Sequence, residues 1–172
     1  MTTIPSLTFH GAARTATGAC FELAYRDSRV LVDCGLFQGP RSLEALNREP
    51  FRFDPRSIDA MVLTHAHIDH SGLLPRLVRD GYRGDIWCTD ATADLLGVML
   101  PDAGRIQESD AERRNRRADR RDEPAVEPLY TEADAVAAAE LARTVDSGTW
   151  FEPAPGIRAS MECRSHPWLG IG

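Results

Sequence analysis

The chain has 172 residues, 42% hydrophobic and 27% charged, proportions ordinary for a globular protein able to bury a sizeable core. Its formal net charge of −6 argues against unaided, non-specific nucleic-acid binding, because such binders are usually basic. All 20 cationic residues are arginine, which with the heavy use of Ala, Gly, Pro and Asp reflects GC-rich codons rather than a function.

Four cysteines, Cys20, Cys34, Cys88 and Cys163, are scattered without a C-x-x-C pairing. That spacing fits neither a disulfide framework nor a structural zinc site, and a reducing cytoplasm is the expected setting. The N-terminus "MTTIPSLTFHGAARTATGACFEL" has no charged segment leading into a long apolar run. No stretch approaches the roughly 18 apolar residues of a membrane span. The expectation is a soluble, cytoplasmic protein with no membrane association.

In chain order, "SLTFHG" and "ACFELAY" read as short strands, and "RVLVDCG" and "IDAMVLT" as buried-strand runs. In "LLPRLVRDGYRG", Leu73, Leu74, Leu77 and Val78 stand at helical spacing and Gly81 is a stop signal. "DIWCT" is another short strand. "DATADLLGVML" has an acidic first turn and Leu95, Leu96 and Met99 on one face, which predicts a helix. Alternating strand and helix give a layered α/β class.

From Pro101 to Pro128 the composition shifts, and "DAERRNRRADRRDEPAVEP" reads as a solvated helix followed by a linker. The competing reading, in which Arg113, Arg114, Arg116, Arg117, Arg120 and Arg121 contact phosphates, is weakened by the interleaved acids. "YTEADAVAAAELA" predicts a helix capped by Thr131, with Asp134 completing a capping box. "TWFEPAPGIRAS" reads as the start of a hairpin.

The densest chemistry lies in "VLTHAHIDHSGLLP", residues 62–75, where His65, His67, Asp69 and His70 fall within six positions. Imidazole nitrogen and carboxylate oxygen are ordinary zinc ligands, and catalytic zinc sites keep a position open for water. An H-x-H-x-D-H string after a buried strand places four donors at the strand's C-terminal end, where α/β sheets usually put their sites. His65 and His67 point the same way from an extended segment and can share one ion. Asp69 and His70, at the start of the next helix, face a second. Gly72 leaves room for the backbone to turn. The bland alternative, surface or core histidines without metal, needs this spacing to arise by chance. His10, standing alone, reads as structural.

"THAHIDHSGLLP" resembles the signature of the metallo-β-lactamase superfamily. "FHGAARTATGACFEL", "RVLVDCGLFQG", "ATADLLGVML" and "PLYTEADA" extend the resemblance over most of residues 7–158, toward the RNA-processing β-CASP nuclease branch. The resemblance implies an αββα sandwich, here its N-terminal part. It implies two zinc ions, one on His65 and His67 and the other on Asp69 and His70. Asp33 matches the acidic first motif and sits behind the metals, orienting their ligands. Asp33 and Asp69 are the candidate catalytic carboxylates, Asp69 by steering a proton from the water that attacks a phosphodiester. RNA is the implied substrate, without distinction between endo- and exonucleolytic cleavage, and a homodimer is the oligomer to test for. An ester or thioester hydrolase of the same fold, or a non-enzymatic metal-binding fragment, are the alternatives.

The family's later motifs are not found: a His in an "AGH-I-L-G-S" segment, a bridging Asp, a distal His and an inserted β-CASP domain. His166 lies nearby but in "CRSHPWLG". Back-translating "SMECRSHPWLGIG" and shifting by one base permits "RWNAGHILGSAS". The expectation is therefore that residues 1–159 are the N-terminal part of a metallo-β-lactamase-like domain. Residues 160–172 are an aberrant, out-of-frame tail, the β-CASP domain is absent, and this truncated chain is inactive or nearly so.

Overall fold

The computed structural model describes residues 4–119 and 124–162. Arg120, Arg121, Cys163 and His166, and with them most of the tail expected to be out of frame, lie outside the described residues. Among the described residues no helix is long and apolar enough to cross a membrane.

Six strands form one sheet in chain order. These are β1 (Ser6–Phe9), β2 (Phe21–Tyr25), β3 (Ser28–Val32), β4 (Ala60–Val62), β5 (Asp85–Cys88) and β6 (Ala142–Thr144). The first three pair antiparallel and the rest are parallel; a tight turn joins β2 to β3, whereas parallel neighbours need longer crossovers, which here carry the helices. The register aligns Leu31, Met61 and Ile86 in one row and Val32, Val62 and Trp87 in the next. A strand's side chains alternate between faces, so these rows serve two different layers.

The first row is wholly buried beneath helices. The crossover helices are α2 (Ile68–Ser71), α3 (Leu74–Arg79), α4 (Asp90–Ala118) and α5 (Glu132–Ala139). Leu74 and Leu77 of α3, Leu96 and Leu100 of α4, and Ala135 and Ala138 of α5 share one apolar cluster with Leu31, Met61 and Ile86. The opposite face meets a second sheet, the hairpin β7 (Trp150–Ala154) and β8 (Ile157–Ser160). Val30 packs there with Ala154 and Ile157, and Trp87 stacks on Phe151 at 5.2 Å. The layers run helices, sheet, hairpin, as the α/β reading anticipated.

Two expectations change in detail. The helix beginning at Asp90 does not stop where the composition shifts; it runs 29 residues through Pro101 into the arginine run. Proline removes one backbone donor and crowds the residue four before it. Here that residue is Gly97, on the exposed side of the helix, where an added Cβ would meet nothing outside the helix backbone within 4 Å. Gly72, expected to free the backbone for a turn, has ordinary helical torsions (φ −69°, ψ −11°). Its role is steric, since a Cβ would meet Leu36 Cβ at 2.8 Å and collide with the carbonyl of Ile68. The short helix α1 (Arg41–Glu44) and β6 had no counterpart in the sequence reading.

Candidate metal centre

The histidine string follows β4 and is held against the exit of β3 by backbone bonds. Leu36 N–H donates to the Ile68 carbonyl at 3.0 Å, Cys34 N–H to that of His70 at 2.8 Å, and Leu73 N–H to that of Cys34 at 2.9 Å. Ala19 N–H donates to the Asp69 carbonyl at 2.9 Å. Contact this close excludes side chains, and a Cβ on Gly35 would collide with the Asp69 carbonyl. The loop is therefore a braced element rather than a free one.

Asp33 sits at the centre of the bracing, only 2% exposed and with φ at 62°. Asp and Asn tolerate this left-handed region better than other side chains. Its Oδ1 accepts the Thr64 N–H at 2.8 Å, and the Thr64 hydroxyl donates to the carboxylate, lying 3.0 and 2.9 Å from its oxygens. Its Oδ2 lies 2.8 Å from His70 Nδ1. A carboxylate accepts only, so the partner assigns the proton to Nδ1 of His70 and leaves the Nε2 lone pair free. With the Thr64 hydrogen engaged by Asp33, its oxygen accepts from His65 Nδ1 at 3.0 Å, which frees Nε2 of His65 in the same way. Burial, then the neighbouring His70 and His67, lower the pKa of His65 and keep that lone pair available. Thr64 is the participant the sequence reading missed; a hydroxyl immediately before the first histidine was the available signal.

The structure brings the predicted donors together in pairs. His65 Nε2 and His67 Nδ1 are 3.1 Å apart, and Asp69 Oδ2 and His70 Nε2 are 3.6 Å apart. Two donors at about 2.05 Å from a tetrahedral zinc stand roughly 3.3 Å from each other, and both separations straddle that value. Two neutral imidazole lone pairs this close repel unless a proton or a cation lies between them. The donor types and spacings thus fit a metal, while their number does not fill a coordination sphere. Among the described residues no three His, Cys, Asp or Glu side chains converge on one ion position. His10 takes no part: it pairs with Glu22 at 2.9 Å and packs on Phe53.

A layered α/β sandwich with a histidine–aspartate loop at the tips of its parallel strands defines a class of metal-dependent hydrolases. The profile of the metallo-beta-lactamase superfamily matches residues 16–132, and the chain belongs to that superfamily. Its relatives lie in the β-CASP RNA-processing branch. Ribonuclease TTHA0252 of Thermus thermophilus is 50% identical over 98 residues, 57% of this chain and 22% of that protein. Transcription termination factor FttA of Methanothermobacter thermautotrophicus is 34% identical over 164 residues, 93% of this chain and 23% of that protein. The chain thus spans less than a quarter of the length of these relatives. Among solved structures, MEM-A1, a subclass B3 metallo-beta-lactamase from a soil metagenome library, aligns with a TM-score of 0.48 and 18% identity, over 88% of this chain and 49% of that one.

Proposed function

We propose that the chain carries the histidine-loop portion of a zinc-dependent phosphodiester hydrolase acting on RNA. The superfamily's fold is metal-dependent, and the chain's relatives include a ribonuclease. The metal, the substrate and the residue roles are our reading. The observation that carries it is the paired spacing of donor atoms in the loop, 3.1 and 3.6 Å, close to what one zinc ion per pair requires.

His65 and His67 would hold one ion and Asp69 and His70 the other. A divalent cation bound there supplies an activated water and positive charge for the phosphoryl oxygens. Asp33 keeps the proton of His70 on Nδ1, and Thr64 does the same for His65. Asp69, less buried than Asp33, would offer the carboxylate oxygen that is not on the ion to a proton released on the open side of the loop.

The test is zinc binding, and zinc-dependent cleavage of single-stranded RNA, by this segment joined to the downstream ligand motifs that its relatives carry. Two ions should bind, and His67→Ala should lose one of them together with cleavage. Retention of both ions and of cleavage in that variant would refute the assignment; zinc without RNA cleavage would leave the metal site and remove the substrate.

A further inference from the structure

A groove of about 710 Å³ lies between the 36–48 segment and helix α4, within the size range of functional clefts. One wall begins at Leu36, whose N–H bonds the carbonyl of Ile68 inside the histidine loop. The other wall is α4 from Gln107 to Arg114. Side chains clasp both walls. Buried Asn47 bonds the N–H and carbonyl of Phe37, both at 2.8 Å, and Asn115 bonds the N–H and carbonyl of Val126 at 2.7 and 3.1 Å. Arg48 spans to the Glu127 carbonyl at 3.0 Å. The groove is a formed feature before any ligand arrives.

Its charges differ from those of the chain as a whole. Three arginines line it, Arg41, Arg48 and Arg114, against Glu44 and Asp110, and Asp110 is already engaged by Arg113 on the next turn. The structure sorts the arginine run that the sequence treated as one block. Arg113 and Arg116 are spent on acids of their own helix, Asp110 and Glu112, whereas Arg114 faces the groove. Among the described residues the side chains of Arg41 and Arg114 make no hydrogen bond or ion pair. Two free planar forks on opposite walls suit phosphate oxygens, which guanidinium binds in bidentate fashion.

We propose that this groove binds the phosphodiester backbone of single-stranded RNA, with Arg41 and Arg114 each on a phosphate, and leads the strand to the histidine loop. The inference rests on the RNA reading above and extends it to a binding surface with named residues. Backbone contacts position a strand without reading its sequence, so binding through the groove is sequence-tolerant and salt-dependent.

The experiment is fluorescence anisotropy of a labelled RNA 12-mer titrated with the full chain in EDTA, where cleavage is suppressed. Arg41→Glu/Arg114→Glu should weaken binding at least tenfold at low salt. Each lost phosphate contact flattens the slope of log K against log salt by about 0.7, so the pair should flatten it by about 1.4. The milder Arg41→Ala/Arg114→Ala pair should follow in the same direction, and circular dichroism should match the parent. Arg26→Glu/Arg158→Glu makes the same charge change on the opposite layer, where Arg26 and Arg158 stack on Tyr25 and Trp150, and should bind nearly as the parent does. Equal losses in both reversal pairs, or unchanged affinity and slope in the groove pair, overturn the proposal. If the parent chain cleaves RNA while the groove variants bind normally, the groove fails and the nuclease reading survives. If the parent binds no RNA, the groove fails, and the nuclease reading is decided separately by zinc-dependent cleavage once the downstream ligand motifs are supplied.

Discussion

Asp33→Asn isolates the orientation of His70 from the stability of the loop. The replacement keeps the size of the side chain and an acceptor for Thr64 N–H, and Asn tolerates the left-handed φ of 62° as well as Asp does. What changes is the group facing His70. An amide NH2 there presents a donor to Nδ1, so the ring proton must move to Nε2, the atom that faces Asp69 Oδ2. Loss of such a supporting carboxylate typically lowers metal affinity by about 10- to 100-fold, or about 1.4–2.8 kcal/mol. The stability cost should stay near 1 kcal/mol, the net worth of one altered hydrogen bond. Competition with a chromophoric chelator gives the zinc affinities, and long-range nitrogen–proton spectra of the imidazoles give the tautomer. We expect weakening confined to the ion shared by Asp69 and His70, with the His65–His67 ion held as before. If the variant binds both ions with parental affinity and His70 keeps its proton on Nδ1, the orienting role of Asp33 is wrong.

Other consequences of the geometry are as direct. Gly35→Ala sets a methyl against the backbone carbonyl of Asp69, which cannot move without breaking the loop's bracing, and should cost about 3 kcal/mol in urea unfolding; a parental midpoint would mean the contact is looser than described. Thr131→Ala removes the capping box of α5, where Thr131 Oγ1 accepts from Asp134 N–H at 3.1 Å, and should cost about 1 kcal/mol, with Thr131→Ser recovering most of it. Alkaline pH should destabilise the fold. Burial, then Asp90, pushes the Cys88 thiol up to about 11, and burial pushes the Tyr130 phenol up to about 12. An unfolded thiol ionises near 8.5, so from there to about pH 11 the unfolded chain binds fewer protons than the folded one and stability falls as pH rises. Calorimetry at pH 8 and 10.5 checks the sign; a melting temperature that does not drop would contradict it.

The elements of this fold were legible where their signals are local. The strands before the histidine string, the helix after it, the Thr131–Asp134 cap and the closing hairpin each show within a dozen residues. The metal candidates were legible for the same reason, four donors in one short string. What escaped depends on distance or on space. Strand β6 is three residues, Ala142–Thr144, directly after an alanine-rich helix, and has no alternation to announce it; its place beside β5 comes from the sheet's need for a neighbour. The passage of α4 through Pro101 has no signal in a composition window, because proline ordinarily ends or kinks a helix. Arg41 and Arg114 are far apart in the chain and face the same groove only because α4 packs over the 36–48 segment. The contact between Asp33 and His70 spans 37 positions, and no spacing rule joins them; it was legible through resemblance alone.

The position of Asp33 explains why one residue can serve both sheet and site. In a parallel ladder, a residue donates its N–H to one neighbour and accepts at its own carbonyl from the neighbour two positions on. Asp33 makes the first bond, to the Val62 carbonyl at 3.1 Å. The second partner, Thr64 N–H, goes instead to the Asp33 side chain at 2.8 Å, because the left-handed φ turns the main-chain carbonyl out of the ladder. The carboxylate therefore completes the last rung between β3 and β4 and, with its other oxygen, holds His70. Strain of order 1–2 kcal/mol in that conformation is offset by the bonds the carboxylate collects, most of which fall on the loop that carries the donors. A substitution that keeps an acceptor should spare the rung and disturb the histidine, whereas one that removes it should break both. The comparison of Asn with Ala at this position separates the two roles.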